Sequence, residues 1–179
     1  MSQPSNNITL PELARLAVEA FIGKGERIEP PAVTAGALCE RAGVFVTIRT
    51  LSGDLRGCIG TIEPAQATVA EEIIRNAINA ATCDPRFSEV KADELPDLTY
   101  GVDVLSPPEP ARGVKDLDPS LYGVIIETLD GIRRGLLLPR IASLKTAEQQ
   151  WLAVHQKAGI KPGTPVLVER FTVTRYGKD

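Results

Sequence analysis

Apolar positions along this chain follow two spacings. In three stretches they recur every third or fourth residue, as on one side of a helix; elsewhere they alternate, as on one side of a strand. Leu13, Leu16, Ala17, Ala20 and Phe21 form the first helical set. Thr9 and Glu12 stand ahead of it at the spacing of a capping box, in which hydroxyl and carboxylate each take an orphan backbone N–H. Gly23 and Gly25 are its stop signals. The second set is Val69, Ile73, Ala77, Ile78 and Ala81, and it again follows a capping pair, Thr68 and Glu71. It must end by Cys83, because Pro85 pushes the residue before it, Asp84, out of helical backbone. A third helix is expected over 146–158, with Trp151, Val154 and Ala158 on its apolar side and Gly159 as its stop.

The alternating stretches read as strands. Val44, Val46 and Ile48 share one face, Ser52-Gly53-Asp54 turns the chain, and residues 55–62 return as the second strand of a hairpin. Leu98, Tyr100, Val102 and Val104 make the next strand, which Pro107-Pro108 ends. Residues 109–120 read as loop. Residues 122–128 and 132–138 pair around Asp130-Gly131, a two-residue turn signal, and 165–176 form one last strand. The polar residues 1–8 read as a flexible N-terminus, and 9–179 as a single domain. Short turns between strands, with few helices, imply an α+β fold with a mainly antiparallel sheet and flanking helices.

Composition narrows the function classes. Of 179 residues, 43% are hydrophobic and 24% charged, which suits a globular domain. A net charge of −3 and 4% aromatics speak against nucleic acid as the main partner. The three cysteines, Cys39, Cys58 and Cys83, are widely spaced, so neither a disulfide framework nor a zinc site is indicated. A reduced, cytoplasmic setting is expected, with no signal peptide and no membrane span. No phosphate-binding loop and no metal-ligand cluster is present, and no cofactor is expected.

The segment with most chemical content is Leu55-Arg56-Gly57-Cys58-Ile59-Gly60. Glycine weakens a strand, so Gly57 and Gly60 imply a bend or a close backbone approach. Arg56 and Cys58 are two residues apart and so belong on one strand face, where a guanidinium would favour a thiolate. A small buried cysteine at a tight crossing explains the same spacing. Asp84-Pro85-Arg86-Phe87 forms a rigid loop after the second helix, placed to return Asp84 and Arg86 towards Cys58, with Phe87 as a core plug. A helix stop with a surface ion pair accounts for Asp84 and Arg86 equally. His155, the only histidine, lies at the edge of an apolar helix stripe and reads as packing before it reads as a base. Glu63 reads as a solvated strand end, with general acid or substrate clamp as the other reading. Arg133, Arg134 and Arg140 mark either an anion site or a solvated hairpin edge.

Taken in order, Val44-Phe45-Val46-Thr47, Leu55-Arg56-Gly57-Cys58-Ile59-Gly60-Thr61, Asp84-Pro85-Arg86-Phe87, Gly135-Leu136-Leu137-Leu138-Pro139, Lys157-Ala158-Gly159 and Arg175-Tyr176 resemble the AMMECR-type proteins. In prokaryotes this family is component A of the AmmeMemoRadiSam system. The resemblance implies a two-lobed fold, one lobe on an antiparallel sheet and a smaller one mostly helical, with a cleft between them and the hexapeptide at the functional site. It implies a Memo-type protein and a radical SAM enzyme as partners. Two positions depart from the pattern: Ser88-Glu89 stand where some members have Pro-Pro, and Tyr122 where some have histidine.

Two functional readings follow. In one, the chain is a binding or partner module that presents the Leu55–Gly60 motif, with Arg56, Gly57, Gly60, Asp84 and Arg86 as contact residues. In the other, Cys58 is the nucleophile of an enzyme acting on a small anionic substrate. The first is favoured, because the sequence supplies no clear base, metal site or cofactor motif.

Overall fold

The computed structural model describes residues 8–32 and 35–177. The flexible terminus expected over 1–8 lies, up to residue 7, outside the described residues. The chain divides into two compact units, one reaching to Val104 and resuming at Thr174, the other spanning Leu105–Val173. The α+β expectation is met, with antiparallel pairing in both sheets.

The first unit packs two helices against a four-stranded sheet. Helix α1 is Leu10–Lys24, α2 is Val69–Thr82, and the strands are β1 Val44–Thr50, β2 Leu55–Thr61, β3 Leu98–Leu105 and, at the end of the chain, β8 Val173–Tyr176. Their order is β2-β1-β3-β8, so β2 is an edge strand. Thr9 caps α1 through Glu12 N–H, and Gly25, at φ 71°, ends it in the left-handed conformation. Thr68 and Glu71 form the full capping box of α2, worth about 1 kcal/mol. The alternation of β1 has its expected result: Val44, Val46 and Ile48 are fully buried with Leu13, Ala17 and Val18 of α1 and Ile73, Ala77 and Ile78 of α2. Phe45 and Thr47 point to the opposite face of the sheet.

The second unit is built on a sheet of order β4-β7-β5-β6, from β4 Glu109–Pro110, β5 Gly123–Thr128, β6 Arg134–Leu137 and β7 Val166–Phe171. Helix α3, Ala147–Ala158, packs Val154 against Val124, Ile126 and Leu137. Where the resemblance implied a mostly helical smaller lobe, this unit has a four-stranded sheet and a single α-helix. Only one stretch of it has helical spacing, and three others alternate. Three further differences concern boundaries. Residues 109–120 include the two-residue strand β4. The Asp130-Gly131 turn is wider than two residues, since pairing stops at Glu127 and Arg134. The single last strand is two, because the chain leaves one sheet at Phe171 and enters the other at Val173.

Candidate functional site

The hexapeptide lies on the free edge of the first sheet, and each face of β2 has a different task. On the core side, Gly57 meets α2: a Cβ there would lie 2.1 Å from the Ala80 carbonyl oxygen. Gly57 therefore answers to close approach, not to a left-handed backbone, since its φ is not positive. On the outer side, Gly60 pairs with Phe45, whose ring occupies the space a side chain would need. Cys58, also on that side, pairs with Thr47 and is half-buried, its Sγ 3.3 Å from Thr47 Oγ1.

Along the edge, the loop after α2 takes the place of a fifth strand. Cys58 N–H donates to Asp84 Oδ2 at 2.8 Å, and Arg86 Nη2 donates to the Cys58 carbonyl at 3.4 Å. Both backbone groups of Cys58 thus face outward, so Cys58 and Thr47 form a non-hydrogen-bonded pair with close side chains. Asp84 is buried and also accepts from Arg86 N at 3.1 Å, Nε at 2.9 Å and Nη2 at 2.7 Å. These bonds from Arg86 are the main reason its carboxyl sits well below the usual range, with Cys58 N–H adding to them and burial opposing. The bend expected to bring Asp84 and Arg86 to Cys58 has that geometry.

Arg56 departs from expectation. The β1–β2 register slips between Ile48 and Arg49, from Gly57 to Leu55, and Arg56 is left without a partner residue. Such a bulge breaks strict alternation. Its guanidinium is not held at the Cys58 sulfur. Nε and Nη2 donate to Glu94 at 2.7 and 2.9 Å, Nη1 to the Ser88 carbonyl at 2.9 Å, and Nη2 also to the Glu89 carbonyl at 3.3 Å. The Arg56 bond is the first cause of a lowered Glu94 carboxyl, and the Glu94 bond of a raised Arg56. This side chain is 13% exposed and fully engaged; that of Arg86 is 55% exposed, and its Nη1 makes no hydrogen bond among the described residues.

The remaining candidates lie apart from this constellation or serve structure. Phe87 is half-buried rather than a core plug, with the Arg86 guanidinium 5.5 Å from its ring. Glu63 is exposed at the end of β2. His155 is buried in the second unit, with Nδ1 2.9 Å from the Trp151 carbonyl and its ring against Trp151. Arg133 donates to the Gly159 carbonyl at the end of α3, Arg134 pairs with Glu127 at 3.4 Å, and Arg140 donates to the Val173 carbonyl at 3.1 Å. Each is engaged separately, so the three do not form one anion site. Tyr122, at the position where some members have histidine, lies under Arg170, 4.3 Å from its ring centre. No group of three His, Cys, Asp or Glu able to hold a metal occurs among the described residues.

Sequence reasoning missed Glu94, Glu72 and Asn76. Glu72 is fully buried and accepts from Ala65 N, Gln66 N at 2.7 Å, Thr61 Oγ1 at 2.9 Å and Asn76 Nδ2 at 3.3 Å, which fixes the loop leaving β2. A signal was available: Glu72 and Asn76 fall on the same helical stripe as Val69, Ile73 and Ala80, where a polar residue must be satisfied internally. Glu94 had no comparable local signal.

A family model described as AMMECR1 matches residues 11–179. A protein of Thermotoga maritima is 48% identical over 161 residues, which cover 89% of this chain and 91% of that protein. A protein of Clostridium acetobutylicum is 46% identical over 92% of this chain, but the match occupies only 35% of its own length. The crystal structure of an uncharacterised protein from Pyrococcus horikoshii superimposes with a TM-score of 0.83 at 34% identity, covering 95% of this chain and 90% of that one.

Proposed function

The chain belongs to the AMMECR1 family, and we propose that it is a binding module whose contact surface is the Cys58–Arg86 edge of the first sheet. The observation that carries this reading is the contrast between the two arginines. Arg56 spends its guanidinium on the loop that covers the edge. Arg86 is held by Asp84 on one side only, and its Nη1 N–H groups face outward, already oriented. An arginine fixed in this way loses little side-chain entropy on meeting a carboxylate or phosphate. The ligand, small or presented by a partner protein, therefore carries an anionic group. The Clostridium relative, in which the matching domain is about a third of a longer chain, supports a domain that also works attached to others. The family resemblance supports a Memo-type protein and a radical SAM enzyme as partners.

The second reading, a thiol enzyme, rests on a half-buried Cys58 beside Arg86. It is weaker, because the group at Sγ is the Thr47 hydroxyl, and the Asp84 carboxylate is on the backbone N–H, not on the sulfur. Thiol catalysis needs a base in reach. Affinity capture with the tagged chain, comparing Arg86→Gln with Cys58→Ser, separates the two. The module reading expects Arg86→Gln to lose its bound partner or anion and Cys58→Ser to keep it. The opposite result would replace it with the thiol reading.

A further inference from the structure

The second unit carries a groove that the Cys58 edge does not explain. It is an open groove of about 470 Å3, within the roughly 300–1,000 Å3 of small-molecule sites. Val166 and Val168 of β7 line it together with Trp151 of α3, Thr164, and Arg112 and Gly113 of the preceding loop. Trp151 is the only tryptophan of the chain. Its ring is backed by the fully buried His155, with ring centres 4.4 Å apart, so the indole is a fixed wall. Arg112 is 90% exposed; Nε and Nη2 bond to Asp116 at 3.0 and 3.1 Å, and Nη1 has no partner among the described residues. The same holds for the Trp151 indole N–H and the Thr164 hydroxyl. No carboxylate side chain lines the groove.

We infer that this groove binds a small, flat, apolar molecule carrying a carboxylate or similar oxyanion, with its ring against Trp151 and its charge on Arg112. The valines and indole offer a face for a ring. The polar side chains that line it offer N–H and O–H donors, among them the Arg112 Nη1 that the Asp116 pair leaves over, which matches an acceptor-rich, negatively charged group. The volume suits a small molecule and not a docked helix. This site lies wholly within the second unit and is independent of the reading given for Arg86.

A single tryptophan gives one indole N–H peak in a 1H–15N correlation spectrum, which reads the groove directly. The probes are 2-naphthoate, its neutral counterpart 2-naphthamide, and inorganic phosphate. The expected result is a saturable shift of the indole peak with 2-naphthoate, roughly tenfold weaker binding of 2-naphthamide, and no shift with phosphate. Arg112→Gln should lower naphthoate affinity to that of the amide, and Arg112→Lys should recover part of it. The exposed Arg112 side chain leaves the fold intact, which the dispersion of the other peaks verifies. No indole shift at millimolar naphthoate, equal shifts with acid and amide, or an unchanged Arg112→Gln titration would each overturn the inference.

Discussion

Gly57→Ala tests the packing of the motif most directly. The new methyl would lie 3.0 Å from the Ala80 carbonyl carbon and 2.1 Å from its oxygen, the latter more than an ångström inside an ordinary contact. Ala80 is 2% exposed, and its helix buries Ile73, Ala77 and Ala81 in the core, so α2 cannot retreat from β2 without opening that core. Overpacking of this kind costs about 1–3 kcal/mol. Alanine restricts the unfolded chain and returns about 0.4–1 kcal/mol, which is less. Because the clash is with backbone atoms that cannot move aside, the cost lies in the upper part of that range, about 2–3 kcal/mol, which leaves a net loss of about 1–2.6 kcal/mol. At roughly 2–4 °C per kcal/mol for a chain of this size, the melting temperature should fall by roughly 2–10 °C. Thermal and urea unfolding followed by far-UV circular dichroism measure it. An unchanged or raised melting temperature would refute the close-approach argument, since φ at Gly57 gives alanine no other penalty. Gly60→Ala should cost less, because it meets the half-buried Phe45 ring and not a backbone.

Other measurements probe the edge. Arg56→Gln removes the partner of Glu94 and the donors to two carbonyls, and should destabilise by about 1–3 kcal/mol. Arg86→Gln, on a mostly exposed side chain, should cost at most about 1 kcal/mol, and a reversed order in urea unfolding would contradict the assignment of Arg56 to structure and Arg86 to binding. Because the folded state depresses the Asp84 carboxyl, its stabilisation is complete above the unfolded value, near 3.8, and is lost as pH falls below it towards the folded value. The stability gap between wild type and Asp84→Asn should therefore be constant at neutral pH and shrink below about pH 4; a gap that widens in acid would reverse the sign of the argument. In iodoacetamide labelling at neutral pH, the exposed Cys83 should react ahead of the half-buried Cys58, and a Cys58 that reacts first would revive the thiol enzyme.

The elements were legible where a local rule decides them. Thr9 and Thr68 cap the first two helices, Gly25 and Gly159 end the first and third, and the alternation of Val44, Val46 and Ile48 settled which face of β1 is buried. What escaped depends on pairing between distant segments. The bulge at Arg56 is a matter of register against β1, and it moved a guanidinium that simple alternation had put beside Cys58. The Arg56–Glu94 pair spans 38 residues, and no spacing in the chain announces it. The strand expected over 165–176 is divided because Phe171 and Val173 pair in different sheets, although the apolar pattern runs through both. The Asp84-Pro85-Arg86 bend was readable because proline fixes it locally.

Most of Leu55–Thr61 has a reason in packing. Gly57 admits α2, Ile59 joins the core, Gly60 lies under Phe45, Thr61 donates to the buried Glu72, and Arg56 ties down the covering loop. The Cys58 backbone is also explained, since Asp84 takes its N–H and closes an edge that would otherwise recruit another strand. Packing does not require the outer half of the Arg86 guanidinium. Asp84 already holds the edge through Cys58 N–H and the loop through Arg86 N–H, and the inner Nε and Nη2 complete its shell. Removing the Nη1 donors alone would leave each of those bonds in place. A fold that needed Arg86 only as a counter-ion would need no more than the Nε and Nη2 donors that Asp84 already takes. Arg86 is held rigid and half-exposed, so a binding assay on Arg86, not a stability assay on Cys58, is where the site and the scaffold part.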